Sequence, residues 1–114
     1  MPAPSPPLLV ACLCAEWCSA CREYRATFDQ VAAEFNGAVR FIWIDIEDEA
    51  ELVDPIEVET FPTLLIADAG APRFFGPLTP QPETLRRLVR QHAGEPAGAA
   101  LADPSVAALV ARIF

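Results

Sequence analysis

The run Leu8-Leu9-Val10-Ala11-Cys12-Leu13-Cys14-Ala15-Glu16-Trp17-Cys18-Ser19-Ala20-Cys21 decides how this chain folds. From Leu8 to Ala15 it is apolar throughout, the pattern of a strand covered on both faces, as in a parallel sheet. Its end opens a helix in which Cys21, Tyr24, Phe28, Val31 and Phe35 recur at i, i+3, i+4 spacing, and Asn36-Gly37 supplies the stop. Strand, Cys-x-x-Cys, helix is a redox arrangement. Two thiols three residues apart on a first helical turn can close a small disulfide ring, and the unpaired N–H groups of that turn favour negative charge on the first sulfur. Cys18 is therefore expected to be the attacking thiolate, and Cys21, one turn inside, the less exposed resolving thiol. The same spacing also fits half of a metal site, so the two cysteines alone leave both chemistries open.

Upstream, residues 1–7 carry four prolines, at positions 2, 4, 6 and 7, and read as an extended arm. This arm has no positive charge and no apolar stretch long enough for a signal peptide. Leu9-Val10-Ala11-Cys12 has the look of a lipoprotein processing site, but the cysteine lies too near the start and the segment is needed as a strand. A cytoplasmic setting is the expectation, where dithiols stay mostly reduced and Cys-x-x-Cys pairs tend to be catalytic. Alternation along the strand places Cys12 and Cys14 on the same side.

Downstream, Val39 to Ile46 is a second strand, parallel to the first because a helix separates them. A strongly acidic connection follows, from Glu47 to Glu59. Asp45-Ile46-Glu47-Asp48-Glu49 faintly suggests a calcium loop, but Ala50 stands where such a loop needs glycine, so a solvated acidic face is the reading adopted. Phe61-Pro62 leads into a third strand, Thr63 to Ala67. Asp68-Ala69-Gly70-Ala71 is a hairpin turn, Arg73-Phe74-Phe75 a fourth strand, and Gly76 is expected to break the sheet. Pro82 starts a helix with Leu85, Leu88, Val89 and His92 on one face, ending at Gly94. His92, the only histidine, reads as a surface or boundary residue. Residues 94–102 form a Gly/Ala-rich linker, and Asp103 caps a last helix carrying Val106, Leu109, Val110 and Ile113 on one face.

A chain of 114 residues suits one domain. Its formal net charge of −8 argues against nucleic acid or an anionic membrane as partner, since both need a basic footprint. All eight basic residues are arginine, which excludes any lysine base or Schiff base. No stretch is long and apolar enough for a transmembrane helix.

Ala15-Glu16-Trp17-Cys18 together with Phe61-Pro62-Thr63 resembles the thioredoxin family over residues 8 to 93. The resemblance implies an α/β fold with a central four-stranded mixed sheet flanked by helices, to which residues 103–114 add a C-terminal helix packed on the domain. It implies a thiol-disulfide oxidoreductase working without a cofactor or metal through Cys18 and Cys21, on protein or small-molecule disulfides, with a reductase or small thiol as electron donor. Trp17, Phe61, Pro62 and Gly76 would form the docking rim, with a cis peptide before Pro62.

Three departures bear on that reading. The strand and helix that open other family members find no room before Leu8, so Val39 to Ile46 would be a bare edge, for which the helix from Asp103 is the expected cover. The family's buried aspartate corresponds to Cys12 and its lysine partner to Phe41, so Cys12 is expected to be a buried, neutral thiol. Proton relay would fall to Glu16 through water, with slow dithiol turnover as the consequence. Cys14 adds a fourth sulfur near the pair. Two other readings remain: a redox-sensing or interaction module with weak catalysis, and a metal site formed by Cys12, Cys14, Cys18 and Cys21.

Overall fold

The apolar run is a strand, and it is the middle of everything else. In the computed structural model, β1 (Leu8–Cys14) is buried at every position, and the described residues are 8–15, 18–35, 39–53, 62–68, 71–77, 79, 81–94 and 102–113. Around β1 stand α1 (Ser19–Phe35), β2 (Arg40–Asp45), α2 (Ala50–Val53), β3 (Thr63–Asp68), β4 (Ala71–Pro77), α3 (Pro82–Gly94) and α4 (Pro104–Ile113). The strands form one mixed sheet in the order β2-β1-β3-β4. β2 runs parallel to β1, with Cys12 opposite Trp43 and Cys14 opposite Asp45. β3 is antiparallel to β1, with Cys12 opposite Leu64.

Alternation along β1 divides the core in two. Leu8, Val10, Cys12 and Cys14 face α1 and α3, where they meet Cys21, Tyr24, Phe28, Val31, Leu85 and Val89. The predicted stripe of α1 is the one buried. Phe28 fills the space over β2, edge-on to Phe41 at 5.5 Å and to Trp43 at 5.6 Å between ring centroids. The guanidinium of Arg25 lies 4.9 Å above the Trp43 ring. Glu34 ties α1 to α3 through a two-pronged pairing with Arg86 at 2.6 Å, which holds the Glu34 carboxyl below its usual range.

Leu9, Ala11 and Leu13 face the other way and pack with Ile44, Leu65, Ala67 and the buried Val106, Leu109 and Val110 of α4. Asp103 caps that helix as read from the sequence, its Oδ1 accepting the N–H groups of Ser105 at 3.0 Å and Val106 at 3.3 Å.

Three expectations change. α4 covers a face of the sheet, not the β2 edge. The apolar residues of β1 and β3 on that face offer far more area to bury than an edge does, and among the described residues β2 pairs only with β1. Gly76 does not break the sheet but lies within β4, opposite Leu64. A glycine keeps both backbone hydrogen-bonding groups, so it can stay in a ladder when its neighbours hold the register. The acidic connection, expected only as a solvated acidic face, contains a short helix, α2. The proposed hairpin turn at Ala69-Gly70 and the arm at 1–7 lie outside the described residues.

Candidate redox site

Cys18 ends the turn that leaves β1. Its N–H donates to the Ala15 carbonyl at 3.0 Å, and its own carbonyl accepts the first helical bond from the Arg22 N–H at 3.1 Å. That places Cys18 at the N-cap of α1, half-buried and with a free thiol, at the positive end of the helix. Cys21, one turn on, is buried. This much matches the expected positions.

The sulfur bonded to Cys21 is that of Cys14. The structure holds a Cys14–Cys21 disulfide with a Cα–Cα distance of 5.7 Å, inside the range disulfides require. The sequence reading expected Cys18 as the partner of Cys21. Cys14 competes because alternation turns its side chain toward α1, at the height of the first helical turn, where Cys21 points down onto the sheet. Cys12 is the second free cysteine, and its Sγ lies 4.0 Å from that of Cys14. A disulfide sulfur carries no proton, so here the Cys12 thiol donates and Cys14 accepts.

Cys12 is a buried neutral thiol, as expected. Burial pushes it from 9.0 up to about 12, and the Arg25 charge only partly offsets this. Tyr24, packed in the same cluster, is also pushed upward, chiefly by burial and then by the negative charge Cys12 would carry. Its hydroxyl is buried without a hydrogen-bond partner among the described residues. Sequence reading gave Tyr24 only a packing role, and nothing in a helical stripe signals an unpaired hydroxyl.

A cavity of about 490 Å³ opens beside the disulfide, lined by Cys21 together with Arg22, Arg25, Trp43, Asp45 and Glu49. Asp45 is the β2 neighbour of Cys14. Its carboxylate accepts the N–H groups of Glu47 at 2.9 Å and Asp48 at 3.2 Å, closing the turn into the acidic connection. The faint calcium-loop pattern is thus a backbone turn. Among the described residues no group of three or more His, Cys, Asp or Glu side chains is arranged to hold a metal ion, and the disulfide occupies two of the four sulfurs of that alternative.

Of the expected rim, Pro62 is buried at the entry to β3, next to Thr63, which pairs with Leu13 at the end of β1 that leads to the thiols. Gly76 sits across β3 in the row of Cys12 and Leu64, one row from the Leu13–Thr63 row at the thiol end. Glu16, Trp17 and Phe61, and with Phe61 the cis peptide expected before Pro62, lie outside the described residues. His92 is half-buried near Phe74, 6.5 Å between ring centroids, as a boundary residue would be.

A mixed four-stranded sheet with a cysteine pair at the strand-to-helix junction defines a thioredoxin-like domain, and the comparisons agree. The thioredoxin family model matches residues 3–85, and this chain belongs to that family. A thioredoxin H-type protein of Oryza sativa subsp. indica is 37% identical over 57 residues, 50% of this chain and 46% of the relative. A thioredoxin of Pyropia yezoensis is 29% identical over 56 residues, 49% of this chain and 52% of the relative. The chain thus spans about half the length of the curated relatives it matches. Among solved structures, thioredoxin from Trypanosoma brucei brucei superposes with a TM-score of 0.68 at 27% identity, covering 80% of this chain and 79% of that one. Thioredoxin from Fasciola hepatica superposes with a TM-score of 0.68 at 23% identity, covering 77% and 83%. The sheet order and helix placement are those of the fold these structures share.

Proposed function

We propose that this chain is a thiol-disulfide oxidoreductase that reduces or exchanges protein or small-molecule disulfides through Cys18 and Cys21. The observation that carries the reading is the placement of a free, partly exposed Cys18 at the N-cap of α1, one turn from a Cys21 already engaged in a disulfide. The Cys18 thiolate attacks one sulfur of the substrate disulfide and expels the other as a thiol. Cys21 then attacks Cys18, releasing the second substrate thiol and leaving an intramolecular disulfide that a reductase or small thiol reopens. The oxidation equivalents of the substrate end up in the protein.

Cys21→Ser removes the resolver, so incubation with a disulfide-bonded protein such as insulin is expected to accumulate a mixed disulfide at Cys18 that dithiothreitol releases. Cys18→Ser is expected to form none. Adducts that form through Cys21 in Cys18→Ser, or no adduct in either variant, overturn the reading.

A second reading, a redox sensor with weak catalysis, is favoured by one observation. Cys12, which the resemblance sets at the family's buried carboxylate, is a neutral thiol, and no buried acid stands beside the resolving cysteine among the described residues. Multiple turnover of insulin reduction with dithiothreitol as donor separates the two, since a sensor stops after one cycle.

A further inference from the structure

We propose that Cys14 is a second resolving cysteine, and that the Cys14–Cys21 bond is an oxidised form of the site that hands the free thiol back to Cys18. The inference rests on the reading of Cys18 as the attacking group and adds a step to it. Cys14 and Cys21 face each other across the strand–helix interface at 5.7 Å between Cα atoms, and they are bonded in this structure. Cys18 and Cys21 are neighbours on one helical turn, so Cys21 lies within reach of both sulfurs.

In the added step the Cys14 sulfur attacks Cys21 of a Cys18–Cys21 disulfide. The Cys14–Cys21 bond forms, the Cys18–Cys21 bond breaks, and Cys18 departs as a thiolate at the positive end of α1. The proton leaves Cys14 for water in the cavity that reaches Cys21 and Asp45, the residue paired with Cys14 in the sheet. No electrons enter or leave. The equivalents taken from substrate move into a buried bond, both of whose residues are 1% exposed. Cys12, 4.0 Å from Cys14 but held neutral by burial, takes no part in the exchange.

The consequence is a change in what Cys18 can do. With Cys21 reduced, a mixed disulfide on Cys18 is resolved at once. With Cys21 already bonded to Cys14, a second attack by Cys18 on a disulfide gives a mixed disulfide with no resolver beside it, and the partner stays attached. Oxidation thus converts the site from a turnover catalyst into a covalent holder of one thiol-bearing partner.

The two disulfide isomers separate cleanly by mass. The full chain is oxidised with diamide, free thiols are labelled with iodoacetamide under native conditions, and the protein is cut after glutamate at acid pH. Cleavage after Glu16 and Glu23 puts Cys14 and Cys21 on different peptides but Cys18 and Cys21 on the same one. The expected result is a cross-linked pair of peptides with the label on Cys18. An unlabelled Cys18 joined to Cys21 within the 17–23 peptide overturns the proposal. Because diamide replaces substrate, this readout does not depend on whether the chain reduces disulfides. Cys14→Ser is expected to lose native labelling of Cys18 after oxidation and to shorten the lifetime of mixed disulfides at Cys18 at least tenfold. Retained labelling at Cys18 in that variant overturns the proposal, and the wild-type peptide map decides alone should the variant fail to fold.

Discussion

Cys12→Ala removes one sulfur from a side chain with no exposure, and its effect on stability is expected to change sign with pH. Near pH 8 the thiol is neutral whether the chain is folded or not. The substitution then costs only the contacts of the deleted atom and the small void it leaves, about 1 kcal/mol. Above pH 9 the unfolded thiol ionises while the buried one, raised from 9.0 to about 12, does not. The folded chain then binds more protons than the unfolded one, so stability falls as pH rises, by about 1.4 kcal/mol for each pH step. The contribution is complete below pH 9, and ~4 kcal/mol of it is gone once pH reaches about 12. At pH 10.5 the wild type has lost ~2 kcal/mol through this thiol and the alanine variant none, so the variant should be the more stable of the two by about 1 kcal/mol. Tyr24, raised chiefly by burial, is present in both proteins, and that burial moves both curves together. The assay is urea unfolding at pH 8 and pH 10.5, followed by circular dichroism, with Cys18 alkylated beforehand in both proteins to prevent exchange. Parallel pH profiles would mean that Cys12 is not held neutral in a buried site, and the account of the space behind the disulfide would fall with it.

Two further substitutions test the second face of the sheet. Leu109→Ala hollows the contact between α4 and β1, where Leu109 is 1% exposed, and is expected to cost ~2–5 kcal/mol in urea unfolding. A loss under 1 kcal/mol would show that α4 is not part of the folded core. Asp103→Ala deletes the side chain that accepts two N–H groups of the first turn and is expected to lower stability by ~1 kcal/mol, with Asp103→Asn restoring most of it. Equal losses in the two variants would count against the cap.

Much of this protein is written locally. An unbroken apolar run can be stable only if both faces are covered, and β1 is covered on both. The 3.6-residue stripe of α1, the proline that opens α3 and the aspartate that caps α4 each act within a few residues, so their elements fall where the sequence places them. Cys18 at a helix start and Cys12 as a neutral buried thiol belong to the same category, since each depends on its own position in a strand or helix. What only the tertiary structure decides are the choices between partners that local pattern makes equally available. Cys21 has two sulfurs within reach, and the distance between β1 and α1, set by the packing of Tyr24, Phe28 and Val31, brings Cys14 to it. The apolar face of α4 had an edge and a sheet face to choose from, and the larger buried area took it to the face. Gly76 carries no side chain to mark it as strand, and it is held in register by Phe74 and Phe75 before it and by β3 alongside. In each case the deciding quantity is a distance or an area between segments far apart in the chain, which periodicity along a single segment does not contain.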